Sequence, residues 1–214
     1  MLFTCLIVSV FHCRFAGSKP AMSSMDDATG KPVRVYRYQQ INAAGDQVRL
    51  VDPPADIANH QIISVKDDQS GASAALATIL KFTFDRDISE QKVITGLMAY
   101  GDKETIAQKE AFSFYDMKYF LAAIGYTGTG YIIEGQVSPE QFREDDFYDI
   151  RNRAIIPIAI DGYAHLAVYR SFDHQYVYLG SPLYGNICLS FDDLRKVIVK
   201  NSIFIIDKPA LTAK

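Results

Sequence analysis

The stretch Asp68-Gln69-Ser70-Gly71-Ala72-Ser73-Ala74-Ala75-Leu76-Ala77-Thr78 decides how the rest of the chain is read. Ala72, Ala75, Leu76, Ile79 and Leu80 recur at the 3.6-residue period, which predicts a helix from about Gly71 to Phe82. Ser70, just before it, has the side chain of an N-cap.

Downstream, more helices follow. Ser89 is placed to cap a helix carrying Val93, Ile94, Leu97 and Met98. Ser113-Phe114-Tyr115-Asp116 reads as a capping box, and Gly125 sits where a C′ glycine belongs. The helix between them turns Met117, Phe120, Leu121 and Ile124 inward. Ser138-Pro139-Glu140 opens a shorter helix, with proline at the first helical position. Strands come after: Ala154 to Ile160, His165 to Phe172, Tyr176 to Leu179, Ile187 to Leu189 and Ser202 to Ile206, with a hairpin tip at Asp173-His174 and a helix from Phe191 to Val199. Helices first and an antiparallel sheet second predict an α+β domain.

Upstream, residues 18–59 are polar and broken by Pro20, Pro32, Pro53 and Pro54. Val33 to Tyr38 alternates apolar and charged residues as one exposed strand, and Asp52-Pro53-Pro54 interrupts regular structure. Leu2 to Phe11 is an apolar run too short to span a bilayer, followed by small residues from Ala16 to Ala21; this reads as a signal-peptide core and cleavage zone. The expected division is therefore a leader at 1–21, an extension at 22–60, the folded domain at 61–208 and a tail at 209–214, with the mature chain periplasmic or otherwise exported.

Composition narrows the function. Of 214 residues, 49% are apolar, enough for a sizeable core, and a net charge of −3 argues against nucleic acid as a partner. His12, His60, His165 and His174 show no ligand spacing, so no metal is expected. No glycine loop opens a helix for phosphate, so no cofactor is expected either. Cys5 and Cys13 lie in the leader, where Cys13 lacks the small residues that lipidation needs before it. Cys188 reads as a small apolar core residue of a strand.

The stretch quoted first resembles the catalytic motif of C39-type, papain-like cysteine peptidases, of the form Asp-aromatic-Ser-Cys-Gly-Ser/Ala-Ala-Ala-Leu-Ala-Thr. Ordered matches follow: Ser89-Glu90, Asp116-Met117-Lys118, Gly125-Tyr126, Gly162-Tyr163-Ala164-His165 for the histidine strand, and Ser181-Pro182-Leu183-Tyr184-Gly185-Asn186 for the family's Asp-Pro-x-x-Gly-Asn. The resemblance covers about residues 61–207 and implies a papain-like fold, N-terminal helices packed on a C-terminal antiparallel sheet. It implies a thiolate at a helix N-terminus, a histidine that takes its proton, a carboxylate that orients the imidazolium and a glutamine at the oxyanion.

The chain departs from that pattern at most of these positions. Gly71 stands at the cysteine, Ser181 at the carboxylate, and Val65 or Lys66 at the glutamine; His165 remains. On these departures the sequence leads us to expect a protein that is not an enzyme. It would bind an extended peptide of a secretion-system substrate in a cleft formed by Ser70, Gly71, Ala72, Tyr163, His165, Ser181 and Tyr184. The alternatives are an active peptidase with a rearranged nucleophile such as Ser70, and a scaffold subunit of a larger assembly.

Overall fold

The computed structural model describes residues 22–26, 32–36, 48–51, 53–66, 71–133, 147 and 149–208. The leader and the helix expected at Ser138-Pro139-Glu140 lie outside these residues. In chain order the elements are β1 (Met22–Asp26), β2 (Pro32–Tyr36), β3 (Leu50–Val51), α1 (Ala55–Ala58), α2 (Ala72–Thr78), a π-helical turn (Ile79–Thr83), α3 (Glu90–Tyr100), α4 (Lys103–Lys109), α5 (Phe114–Ala123) and β4 (Thr127–Ile132). Then come β5 (Ala154–Ile160), β6 (Tyr163–Phe172), β7 (Tyr176–Ser181), β8 (Gly185–Ser190), α6 (Phe191–Val197) and β9 (Ser202–Asp207). This is the α+β order that the sequence predicts.

Residues 71–80 are all buried, so α2 runs through the interior. Ala72, Ala75, Leu76, Ile79 and Leu80 pack with Val93 and Leu97 of α3, with Met117, Phe120 and Leu121 of α5, and with Leu166 and Val168 of β6. A helix this enclosed must satisfy its own polar side chains. Thr78 donates to the Ala74 carbonyl at 2.7 Å and accepts from the Ile63 amide at 3.0 Å; Ser73 donates to the buried Glu90 carboxylate at 3.1 Å. The caps expected at Ser89 and Ser113 are present, the latter as a full capping box with Asp116.

The strands form one sheet in the order β1-β2-β3-β8-β7-β6-β5-β9-β4, antiparallel throughout. A second apolar cluster, including Ile156, Ile158, Tyr169, Leu179, Leu189 and Leu194, fills the side of the sheet under α6. Asp161 and Gly162 both have positive φ, 58° and 76°, and join β5 to β6 in a two-residue turn of the kind that matches strand twist. Cys188 is buried with Ile57 and Tyr178, as its reading as a core residue requires.

Strands β1, β3 and β4 and helices α1 and α4 are absent from the sequence reading. β4 is Thr-Gly-Thr-Gly-Tyr-Ile and mostly exposed, so no two-residue alternation marks it; its pairing with β9 makes it a strand. Gly128 is needed there, because a Cβ would come within 2.4 Å of the Phe204 ring.

Two substitutions gauge these interactions. Leu76→Ala removes a side chain with zero exposure and is expected to cost about 2–5 kcal/mol, whereas Ser113→Ala removes one cap and should cost about 1 kcal/mol. Urea denaturation checks both; equal costs would show that α2 is not the packing centre.

Candidate functional site

The start of α2 meets the start of β6 and the β7–β8 turn. Gly71 is the N-cap of α2 and is left-handed, with φ 65° and ψ 10°. A Cβ there would lie 3.5 Å from the Pro182 ring and 3.8 Å from the Leu166 carbonyl oxygen. There is room for a side chain, but an L-residue pays for the left-handed backbone. The preceding segment is tied to the same turn: the Val65 amide donates to the Pro182 carbonyl at 3.1 Å. Val65 or Lys66 stands at the family's glutamine, and the Lys66 amide lies 3.4 Å from Glu90 Oε1.

His165 and Ser181 are side by side, with Nε2 3.0 Å from Oγ. Ser181 Oγ also accepts from the amides of Leu183 at 3.2 Å and Tyr184 at 3.1 Å. Those two donors occupy its lone pairs, so the hydroxyl proton points to His165 and Nε2 is the acceptor nitrogen. Nδ1 then carries the proton and faces the Tyr163 carbonyl at 3.4 Å. Burial lowers the His165 pKa to about 4, only partly opposed by that carbonyl, so the ring is neutral at physiological pH.

Tyr184 covers this pair, its ring centroid 5.5 Å from that of His165. Its hydroxyl donates to Asp161 Oδ2 at 3.2 Å. Burial raises the pKa of Asp161, while the tyrosine bond lowers it. Asp161 is the carboxylate of the region that the sequence reading missed; the Asp-Gly turn was its available signal. Pro182 was also missed, and only the fold reveals that it faces position 71.

Of the expected cleft residues, Gly71, His165, Ser181 and Tyr184 form this constellation. Ala72 is fully buried in the first turn of α2, and Tyr163 is more than half exposed. Ser70 lies outside the described residues. Among the described residues, no group of three or more His, Cys, Asp or Glu side chains is placed to hold a metal, and no helix is long and apolar enough to cross a membrane.

This is the papain-like fold of C39 peptidase domains. A double glycine motif protease from an AMS/PCAT transporter, solved in complex with the leader peptide, matches at a TM-score of 0.52 and 15% identity, over 71% of this chain and 93% of that one. The peptidase domain of Streptococcus ComA, a bifunctional ABC transporter, matches at 0.53 and 12%, over 70% and 99%.

In sequence, the chain is similar to the "Probable functional amyloid protease FapD" of Pseudomonas fluorescens, 33% identical over 132 residues, which are 62% of this chain and 54% of that protein. The protein of the same name from Pseudomonas aeruginosa is 34% identical over 125 residues, 58% of this chain and 51% of the relative. The chain thus spans about half the length of these curated relatives. No family model matches. The expectation that the chain is not an enzyme is corrected by these findings. Its curated relatives are named proteases, which counts against a non-enzyme. The expectation had rested on the departures at Gly71, at Ser181 and at Val65 or Lys66.

The neutral histidine sets a pH dependence. Its folded pKa is about 4 against 6.5 for the free side chain, so between these values the unfolded chain binds a proton that the folded chain does not. The contribution is fully present above pH 6.5 and is lost as pH falls through 4. Between pH 7 and pH 5 the loss from this group is about 2 kcal/mol. Urea denaturation of wild type and His165→Gln at both pH values checks it: the wild type should lose more stability than the variant, and equal losses would contradict a buried neutral imidazole.

Proposed function

We propose that the chain is a C39-like peptidase that acts on an extended peptide segment of a secreted or surface-assembled protein. The observation that carries this reading is the buried His165–Ser181 pair set against the N-terminus of α2. The peptidase-domain fold and the protease relatives support it.

Residue 71 has no side chain, so the nucleophile in this reading is a hydroxyl. Ser70, next in the chain, is the candidate. In this reading the Ser181 hydroxyl releases Nε2 when the peptide binds; His165 then takes the nucleophile's proton at Nε2 as the oxygen attacks the peptide carbonyl, and passes that proton to the leaving amine. Water hydrolyses the resulting ester. Before the peptide binds, Ser181 holds the imidazole by donating to Nε2, where a carboxylate would accept from the ring and add charge. Tyr163 and Tyr184 supply apolar area with a polar tip for the bound segment.

The test is cleavage of leader-type and fibre-subunit peptides, followed by mass spectrometry, alongside peptide binding measured separately. Wild type is expected to cleave. His165→Ala should lower kcat/KM by about 10²–10⁴-fold, and Ser70→Ala should abolish turnover. Binding by the wild type with no turnover would reject the peptidase reading, and turnover that survives Ser70→Ala would reject Ser70 as nucleophile.

A further inference from the structure

A second site lies beyond the far end of α2. A cleft of about 490 Å³ opens where the π-helical turn meets β6 and the loop before β5, and its lining includes His60, Gln61, Phe82, Arg151, Asn152 and Arg170. Arg170 is five residues along β6 from His165, about 16 Å at the rise of a strand, so this cleft is separate from the histidine site.

Arg170 is 3% exposed. Nη1 donates to Asn152 Oδ1 at 3.1 Å and Nη2 to the Gln61 carbonyl at 2.8 Å, while buried Nε has no hydrogen-bond partner among the described residues. Both acceptors are neutral. Burial lowers the pKa of Arg170 to about 10, so the guanidinium is still charged at neutral pH. A buried cation held only by neutral oxygens is costly, and that cost falls when an anion joins it.

The fold makes room for this arrangement. A Cβ on Gly180 of β7 would sit 2.7 Å from Arg170 Nε and 2.8 Å from Nη2. The glycine lets the guanidinium lie across the neighbouring strand. Exposed Arg151 adds a second cation to the lining, and no Asp or Glu is among the described residues there. His60 adds no fixed charge: burial first, and then the charge of Arg170, lower its pKa, against a smaller opposing effect of Asp56.

We propose that this cleft is a binding site for a carboxylate, held by Arg170 with Asn152 beside it. The Nε–Nη2 edge lies against Gly180, so a planar carboxylate would be taken at the Nη1–Nη2 end of the guanidinium, and amide groups suit a singly charged anion. Two sources share this chemistry, the C-terminus of a peptide and an acidic side chain within one. The site stands on its own residues, so it does not depend on the peptidase reading.

Binding is followed through the arginine Nε–H resonances of the full chain by NMR. The probes are N-acetylglycylglycine, its C-terminal amide, N-acetylglutamate α-amide and inorganic phosphate. At least one carboxylate probe should shift the Arg170 signal, with the neutral amide about tenfold or more weaker. A response to N-acetylglycylglycine alone assigns a chain terminus, and a response to the glutamate probe alone assigns an acidic side chain. Arg170→Met tests the buried cation directly. Because that variant also removes a buried side chain from the core of the sheet, Arg151→Gln and Phe82→Glu are made beside it at exposed positions. The first should weaken binding about tenfold, and the second should abolish it by placing a carboxylate in the cleft. Equal binding of acid and amide, tighter binding of phosphate than of either carboxylate, or unchanged affinity in both surface variants would overturn the proposal.

Discussion

The burial of α2 is the constraint from which the rest of the structure follows. Residues 71–80 have no solvent face, so α3 and α5 on one side and β6 on the other must close around them. Only small residues in the first turns allow that approach, and Ala72, Ser73, Ala74 and Ala75 provide them. The two polar side chains in this run, Ser73 and Thr78, are satisfied by Glu90 and by backbone groups. With the helix fixed, its N-terminus is held against Pro182 and the first residues of β6, and its far end against the cleft that contains Arg170.

The chemistry at the helix start depends on two small replacements. Glycine at position 71 permits a left-handed N-cap, which is a backbone choice as well as a missing side chain. Serine at position 181 closes the β7–β8 turn by accepting two amides, which turns its proton toward His165. A carboxylate at the same place would accept from the imidazole and favour its charged form. The serine instead leaves a neutral ring, shielded by Tyr184. In the proposed reading, peptidase chemistry in this setting is hydroxyl chemistry with an uncharged base.

Much of this was legible in the sequence. The apolar spacing from Ala72 to Leu80, the capping box at Ser113 and the β-rich runs after Ala154 gave the helices, the strands and the α+β order. Gly71, His165 and Ser181 were identifiable because ordered motifs resemble those of a known family. β4 was not legible, since its glycines and exposed residues carry no period and its identity comes from β9. The proton direction between Ser181 and His165 depends on amides two and three residues beyond the serine, a turn geometry that residue identity alone does not specify. Arg170 looked like one more charged residue in a strand; only burial beside Gly180 sets it apart. The expectation of a non-enzyme failed because it read departures from the family's residues at three positions as the absence of an activity.

The central claim is that His165 is held neutral, with Nε2 accepting from Ser181, at the start of the buried helix. Nitrogen-15 shifts of the imidazole, followed from pH 8 to pH 3.5, test it most directly. The account predicts a protonated Nδ1 and an unprotonated Nε2 down to about pH 4, with the Nε2 shift altered by Ser181→Ala. A ring that titrates near 6.5, or whose Nε2 carries the proton at neutral pH, would contradict it.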